Sequence, residues 1–91
     1  MREFFKVEVQ EWHSQENAYY DYSGHRLVVV ELPKKEDESS YEEKRREEEK
    51  PRYDKLADSL ADMLKKEHNY RYKNRRQDGS IFVYHSYSIG D

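Results

Sequence analysis

Residues 70–87 have the sequence YRYKNRRQDGSIFVYHSY, and the tetrad Gln77-Asp78-Gly79-Ser80 at its centre decides the fold. Asp and Gly tolerate the positive φ that a two-residue hairpin turn requires at both central positions. The sequence therefore predicts two antiparallel strands joined by Asp78-Gly79. In that register Gln77 lies opposite Ser80, and all other pairs follow by counting outward, because opposed residues share a face of the sheet.

This predicted register divides the hairpin into two faces. The more apolar face, expected to cover a helix, carries Tyr70, Tyr72, Asn74, Arg76, Ile81, Val83, His85 and Tyr87. The opposite face alternates cations with aromatic rings and carries Arg71, Lys73, Arg75, Phe82, Tyr84 and Ser86. We expect this second face to point to solvent.

One amphipathic helix is predicted over residues 51–68. Pro51 suits the first turn, where its missing N–H would have no partner in any case. Apolar residues then recur with the three-and-four spacing of a buried helical stripe: Tyr53, Leu56, Ala57, Leu60, Ala61 and Leu64. The acidic residues Asp54, Asp58 and Asp62 are expected on the opposite side of the helix.

Residues 34–50 are almost entirely polar, with Tyr41 the single apolar side chain. Nothing in their composition compels them to lie on a core, so we expect a charged, partly mobile connection or a solvated helix. Ser40 followed by Glu43 resembles a capping box, and the spacing of Glu42 and Arg46 suits a helical ion pair. Whether this segment is helical stays open at this point.

The first third of the chain predicts further strands. Phe5, Val7 and Val9 alternate with polar residues, which is the period of a half-buried strand over residues 3–12. Residues 18–22 are expected to be extended, and Ser23-Gly24 to turn or bulge the chain. The aliphatic run within residues 25–32 is typical of an interior strand.

Together these elements predict a single α+β domain over residues 1–91. It has a small, mostly antiparallel sheet of four or five strands, in the chain order strands, helix, hairpin, with the helix packed on one face. Leu, Ile, Val and Phe make up only 16 of the 91 residues. The core must therefore use part of the nine tyrosines and Trp12, whose rings are buried with polar tips in water.

Composition makes several classes unlikely on physical grounds. The chain has no Cys, so it has no disulfide or thiolate metal site. The longest aliphatic run is Leu27–Val30, far short of the ~20 residues of a membrane span. The four histidines lack helical ligand spacing and the three glycines form no phosphate-binding loop. We therefore expect a cytoplasmic protein that is not an enzyme and has no membrane association, metal or cofactor.

The leading hypothesis is a small non-enzymatic binding protein that docks on a larger protein or ribonucleoprotein and modulates or inhibits it. Small size and dense mixed charge are typical of such inhibitors, including those carried by phages, and the partner is expected to handle nucleic acid. An acidic stripe of helix would dock on a basic groove, and tyrosines suit protein interfaces. The partner-binding residues are expected to be Asp54, Asp58, Asp62, Tyr19, Tyr20 and Tyr22.

The alternative is a binder of single-stranded RNA or DNA, or of a nucleotide. Bases stack on aromatic side chains while cations meet the phosphates. The expected contact residues are those of the outward hairpin face: Arg71, Lys73, Arg75, Phe82 and Tyr84. The formal net charge of −3 argues against a sequence-blind duplex binder, which is normally strongly basic. The sequence decides neither between the two hypotheses nor the oligomeric state.

Overall fold

The computed structural model describes residues 3–15 and 20–88. Its elements are β1 (Phe5–Gln15), β2 (Tyr20–Glu31), α1 (Ser40–Glu67), β3 (Tyr72–Arg75) and β4 (Ile81–Ser88). The strands form one antiparallel sheet in the order β1-β2-β4-β3. The predicted α+β fold, with a helix packed on a small antiparallel sheet, is confirmed.

β1 and β2 form a long antiparallel pair, and alternate apolar residues of the two strands meet on one face. Val7 lies opposite Val29 and Val9 opposite Leu27, as the alternation in β1 predicts. β2 pairs with β1 on one side and β4 on the other, so its interior position is also confirmed. The predicted turn or bulge at Ser23-Gly24 is wrong, because β2 continues through both residues.

The core lies between α1 and the three longer strands. Its fully buried members are Leu27, Ala57, Ala61, Ile81 and Val83, with Val7, Val29, Leu60, Leu64 and Tyr70 packed around them. The two alanines place little side chain between the helix backbone and the sheet, so the elements approach closely. The predicted apolar stripe therefore faces the sheet, except for its edge residue Leu56, which is 47% exposed.

The helix is longer than predicted and begins at Ser40 rather than Pro51. Ser39 is its N-cap, and the Ser39 hydroxyl accepts a 3.2 Å hydrogen bond from the backbone N–H of Glu42. Its 28 residues correspond to about 42 Å. Pro51 lies inside the helix, where it removes one backbone donor.

Arg46 explains why the charged segment adopts this position. Its side chain is only 4% exposed and its guanidinium lies 4.9 Å from the centre of the Phe4 ring. Arg46 Nε donates to Glu38 Oε1 at 2.6 Å, and Nη1 lies 3.3 Å from Glu31 Oε1. Further donations reach three backbone carbonyls, those of Phe4, Leu32 and Pro33. One arginine thus fastens the first half of α1 to the ends of β1 and β2.

The C-terminal hairpin has a different turn from the predicted one. The Arg76 N–H donates to the Ser80 carbonyl at 2.8 Å, and the Gly79 N–H donates to the Arg76 carbonyl at 3.0 Å. The loop therefore has three residues, with Gly79 at φ +89°, as in a type I turn followed by a glycine bulge. Asp78 Oδ1 supports it by accepting from the N–H and the hydroxyl of the buried Ser80.

The three-residue loop shifts the pairing of β3 by one position relative to the prediction. Lys73 lies opposite Val83 and Arg75 opposite Ile81. Because side chains alternate with a period of two, this shift moves every β3 side chain to the other face. Lys73 and Arg75 therefore lie on the helix side of the sheet, and the predicted outward cation face is wrong for both.

Candidate functional site

The face of the sheet opposite α1 carries a cluster of aromatic rings. Among the described residues α1 is the only helix, and its contacts with Leu27, Ile81 and Val83 place it on the other face. The strand pairing puts several rings on the helix-free face. Five of them contact one another, and we call these five the outer aromatic cluster: Trp12, Tyr22, Tyr72, Phe82 and Tyr84.

Tyr84 is the centre of the outer aromatic cluster. Its ring centroid lies 5.2 Å from that of Tyr72, in a stacked arrangement, and 5.7 Å from Trp12 and 6.0 Å from Tyr22 in edge-on arrangements. Trp12 also meets Phe82 edge-on at 5.3 Å. Such offset and edge-on geometries are the favourable ones for aromatic pairs. The rings therefore hold one another in place without a helix above them.

Gly24 allows this cluster to form across β2. It lies opposite Trp12 on one side and Tyr84 on the other. These two residues belong to strands separated by about two inter-strand spacings, or about 9.6 Å, yet their rings meet over the glycine. A Cβ at Gly24 would lie 2.0 Å from the Val83 carbonyl oxygen and 2.6 Å from the Tyr84 Cβ. The position therefore accepts no side chain without movement of the backbone.

Three arginines surround the outer aromatic cluster. The guanidinium carbons of Arg76 and Arg26 lie 4.9 and 5.9 Å from the centre of the Phe82 ring. Arg71 lies 5.9 Å from the centre of the Tyr72 ring. Arg26 also donates to Gln10 at 3.3 Å and lies 4.0 Å from Asp78. The surface thus combines partly exposed aromatic rings with positive charge over and beside them.

A pocket of about 370 Å³ opens on this surface. Its lining consists of three rings and three polar side chains: Trp12, Tyr22, Tyr84, Ser14, Asn74 and Arg76. Asn74 Nδ2 donates a 2.6 Å hydrogen bond to the Tyr84 hydroxyl. This volume falls within the roughly 300–1,000 Å³ of small-molecule sites.

The predicted cations Lys73 and Arg75 instead pair with the predicted acidic stripe. Lys73 Nζ lies 2.7 Å from Asp62 Oδ1 and 2.9 Å from Asp58 Oδ1, and Arg75 lies 3.2 Å from Asp58. The expectation that the aspartates lie opposite the apolar stripe is wrong here. Asp58 and Asp62 each follow a buried alanine by one residue, or 100° around the helix, so they flank the stripe and face β3.

These ion pairs perturb both partners. The hydrogen bond from Lys73, followed by its charge and by the contacts of Arg75, lowers the pKa of Asp58 below its usual value. Burial of Lys73 is the largest single influence on that group and lowers its pKa, but the hydrogen bonds to Asp62 and Asp58 raise the pKa on balance. Both groups are therefore charged at neutral pH and satisfy each other.

The remaining predicted site residues are dispersed. Asp54 forms an ion pair of 3.7 Å with Lys50. Tyr20 is 46% exposed in β2, and Tyr19 lies outside the described residues. Of the two predicted sets, Tyr22, Arg71, Phe82 and Tyr84 come together at the outer aromatic cluster, and the strand pairing places Tyr20 on the same face, two residues from Tyr22.

Sequence reasoning missed Trp12, Tyr72, Arg26 and Arg76 as members of this surface. One signal was present in β1. Trp12 shares the strand parity of Lys6, Glu8 and Gln10, so a large ring stands at a position where the alternation expects a polar residue. An aromatic side chain on the polar face of a strand is a candidate member of an apolar patch on that face.

Three of the four histidines, His25, His68 and His85, converge on the helix side of the sheet, beyond the end of α1. The His25 ring centroid lies 4.9 Å from that of His68, and Tyr70 lies 5.1 Å from His68 and 4.6 Å from His85. The Tyr70 hydroxyl is 2.8 Å from His25 Nδ1. Burial, followed by the charge of Glu11, raises the pKa of Tyr70. Despite this convergence of histidines, residues 3–15 and 20–88 contain no group of three or more His, Cys, Asp or Glu side chains that could hold a metal ion.

Comparisons with known proteins leave the site geometry as the basis for any functional argument. No protein-family model, curated protein or solved structure matches the chain. Within the part of the chain that the structure describes, α1 is too polar to cross a bilayer, and no other helix is present.

Proposed function

We propose that this protein binds single-stranded nucleic acid on the helix-free face of its sheet. The observation that carries the proposal is the outer aromatic cluster itself, five rings on one open sheet face with three arginines at its margin. It revises the contact set that the hairpin sequence suggested, retaining Arg71, Phe82 and Tyr84 and replacing Lys73 and Arg75.

Stacking provides the first argument for this function. Unpaired bases stack on aromatic side chains, and each such contact contributes ~1–3 kcal/mol to binding. Tyr72 is 38% exposed and lies on the short edge strand, so its ring face is the most accessible of the cluster. Tyr84 and Trp12 continue the surface across the sheet, which gives a path for successive bases.

Charge provides the second argument. Arg26 lies 5.9 Å from the centre of the Phe82 ring and Arg71 lies 5.9 Å from that of Tyr72, so both are beside the path proposed for the strand and can contact its phosphates. Lys73 and Arg75 form ion pairs with α1, so the proposal does not use them as phosphate contacts. A few arginines beside a stacking surface suit a single strand, whereas a duplex binder requires a more basic domain.

The direct experiment is fluorescence anisotropy of labelled single-stranded RNA and DNA 12-mers over a salt series. If Arg26 and Arg71 each meet one phosphate, the log–log slope of affinity against salt is about −1.4. Removal of one stacking ring by Tyr72→Ala is expected to weaken binding by roughly 5- to 100-fold. Arg71→Ala is expected to reduce the magnitude of the salt slope by about 0.7, the contribution of one single-strand phosphate.

Matched controls are available on α1. Tyr41 is 70% exposed and Arg52 is also exposed, and both lie on the helix rather than on the outer face. Tyr41→Ala and Arg52→Ala should bind as the unmodified protein does. Absence of binding at low salt, or equal losses in Tyr72→Ala and Tyr41→Ala, would refute the proposal.

Docking on a larger protein partner is the second candidate function, now through a different surface. Trp, Tyr and Arg are the residue types that dominate the binding energy of protein interfaces, and all three occur in and around the outer aromatic cluster. Asp58 and Asp62, by contrast, are engaged by Lys73 and Arg75. Two results together would favour this candidate. The protein would bind none of the oligonucleotides, and it would capture a protein partner that Tyr72→Ala loses and Tyr41→Ala retains.

A further inference from the structure

We infer that the pocket beside Trp12 and Tyr84 is a guanine subsite within the proposed single-strand surface. The inference rests on the proposed function and adds a base preference to it. Aromatic walls and polar side chains meet in this one pocket of about 370 Å³. The choice of base follows from the hydrogen-bond donors and acceptors of these side chains that remain available to a ligand.

Arg76 offers hydrogen-bond donors. Its guanidinium lies over the Phe82 ring at 4.9 Å, and no residue in the described ranges 3–15 and 20–88 accepts a hydrogen bond from it. A guanidinium has five N–H groups in a planar fork. Two of them can meet two adjacent acceptor atoms on one edge of a base.

Asn74 offers an acceptor two residues away on the same face of β3. One N–H of its Nδ2 donates to the Tyr84 hydroxyl at 2.6 Å, which leaves the Oδ1 oxygen and the second N–H for a ligand. The pocket therefore provides paired donors from Arg76 followed by an acceptor from Asn74. A matching base must present two neighbouring acceptors followed by a donor.

Only guanine and cytosine have this pattern. Guanine presents N7 and O6 followed by N1–H, and cytosine presents O2 and N3 followed by its amino group. Adenine and uracil lack two adjacent acceptors. Arginine paired with guanine N7 and O6 is also the commonest base-specific arginine contact in nucleic-acid complexes. The larger purine ring gives guanine the greater stacking area against Trp12 and Tyr84, so guanine is preferred over cytosine.

The test compares uridine 12-mers that carry a single central G, C, A or U. The G-containing strand is expected to bind about 5- to 100-fold more tightly than the all-U strand, the discrimination of one bidentate pair, with C intermediate. Arg76→Lys keeps the charge but loses the fork, so it should abolish the preference for G while leaving the salt slope unchanged. Arg52→Lys is the matched control and should retain the preference.

A mononucleotide titration separates this inference from the proposed function. Trp12 is the only tryptophan, so GMP in the pocket should change its fluorescence, and UMP at the same concentration should change it less. Tight but equal binding of all four 12-mers would overturn the guanine subsite and leave single-strand binding standing. A Trp12 response to GMP without oligonucleotide binding would support the subsite and overturn the proposed function. Absence of both signals would overturn both.

Discussion

Lys73 Nζ donates a 2.7 Å hydrogen bond to Asp62 Oδ1, joining β3 to α1. This contact exists only because the C-terminal hairpin turns through three residues and directs Lys73 toward the helix. It shows that the edge strand, which has few apolar residues, is held to α1 largely by charge.

Reversing this pair tests the observed strand pairing. Lys73→Glu would place a carboxylate beside Asp58 and Asp62, so it should lower the free energy of unfolding, and Asp62→Lys in the same chain should restore part of the loss. Because Asp62 is 60% exposed, the coupling is expected to be only about 0.2–1 kcal/mol. A urea double-mutant cycle measures it. A repulsive coupling, in which Asp62→Lys deepens the loss caused by Lys73→Glu, would contradict the contact between Lys73 and α1.

Acid unfolding should report on Asp58. Its pKa is lowered in the folded state, chiefly by the hydrogen bond from Lys73. A depressed pKa contributes stability that is complete above the unfolded value, near 3.8, and is lost as pH falls through the folded value. Asp58→Asn should therefore flatten the loss of stability below that pH, as measured by urea midpoints. Asp54→Asn, on the same helix and in a longer ion pair of 3.7 Å with Lys50, serves as the control, and an equal flattening would contradict the assignment.

Arg46 should be essential for the position of the first half of α1. Arg46→Met fills similar space but leaves the carboxylate of Glu38, whose side chain is only 3% exposed, without its cation. Removing one partner of a buried ion pair is strongly destabilising, so we expect the melting temperature to fall by roughly 10 °C or more. Arg52→Met changes an exposed arginine of the same helix and should shift it by less than about 3 °C. Similar melting temperatures for the two variants would show that the segment is merely solvated.

Gly24→Ala should disturb the outer aromatic cluster more than its size suggests. The added Cβ meets the Val83 carbonyl oxygen and the Tyr84 backbone, and neither can move without separating β2 from β4. We expect a loss of ~1–3 kcal/mol, typical of overpacking, together with a changed near-ultraviolet circular dichroism signal from Trp12 and Tyr84. Gly79→Ala is a control for the strained loop, since nothing lies within 4 Å of its added Cβ, and its near-ultraviolet spectrum should stay unchanged.

Much of the fold could be predicted from periodicity alone. The alternation of Phe5, Val7 and Val9 and the spacing of Ala57 and Ala61 depend on which side chains avoid water. Which side chains avoid water can be read from the spacing of apolar residues within each segment. The sequence alone therefore predicted the sheet, the helix and the packed face of each.

Periodicity could not predict the strand pairing of the C-terminal hairpin. Asp78-Gly79 suits a two-residue turn, but it also suits the last two positions of a three-residue loop. The choice depends on Asp78 accepting both hydrogen bonds from Ser80 and on Lys73 reaching α1. These are tertiary contacts, which the local sequence does not reveal. The contact set predicted from the sequence was therefore wrong for Lys73 and Arg75, because both residues belong to β3.

Arg46 was missed for a related reason. In a run of seventeen mostly charged residues, 34–50, an arginine destined for burial has the same local surroundings as an exposed one. Its partners Glu31, Glu38 and the Phe4 carbonyl come from other elements. Only their convergence distinguishes Arg46 from its neighbours.

The length of the loop at residues 77–79 determines which side chains β3 exposes to water. Deleting one of its residues would leave a two-residue turn, so that Tyr72 and Asn74 would turn inward and Lys73 and Arg75 would point outward. A single-codon deletion would thus remove one ring from the outer aromatic cluster and add two cations to that face without altering any strand sequence.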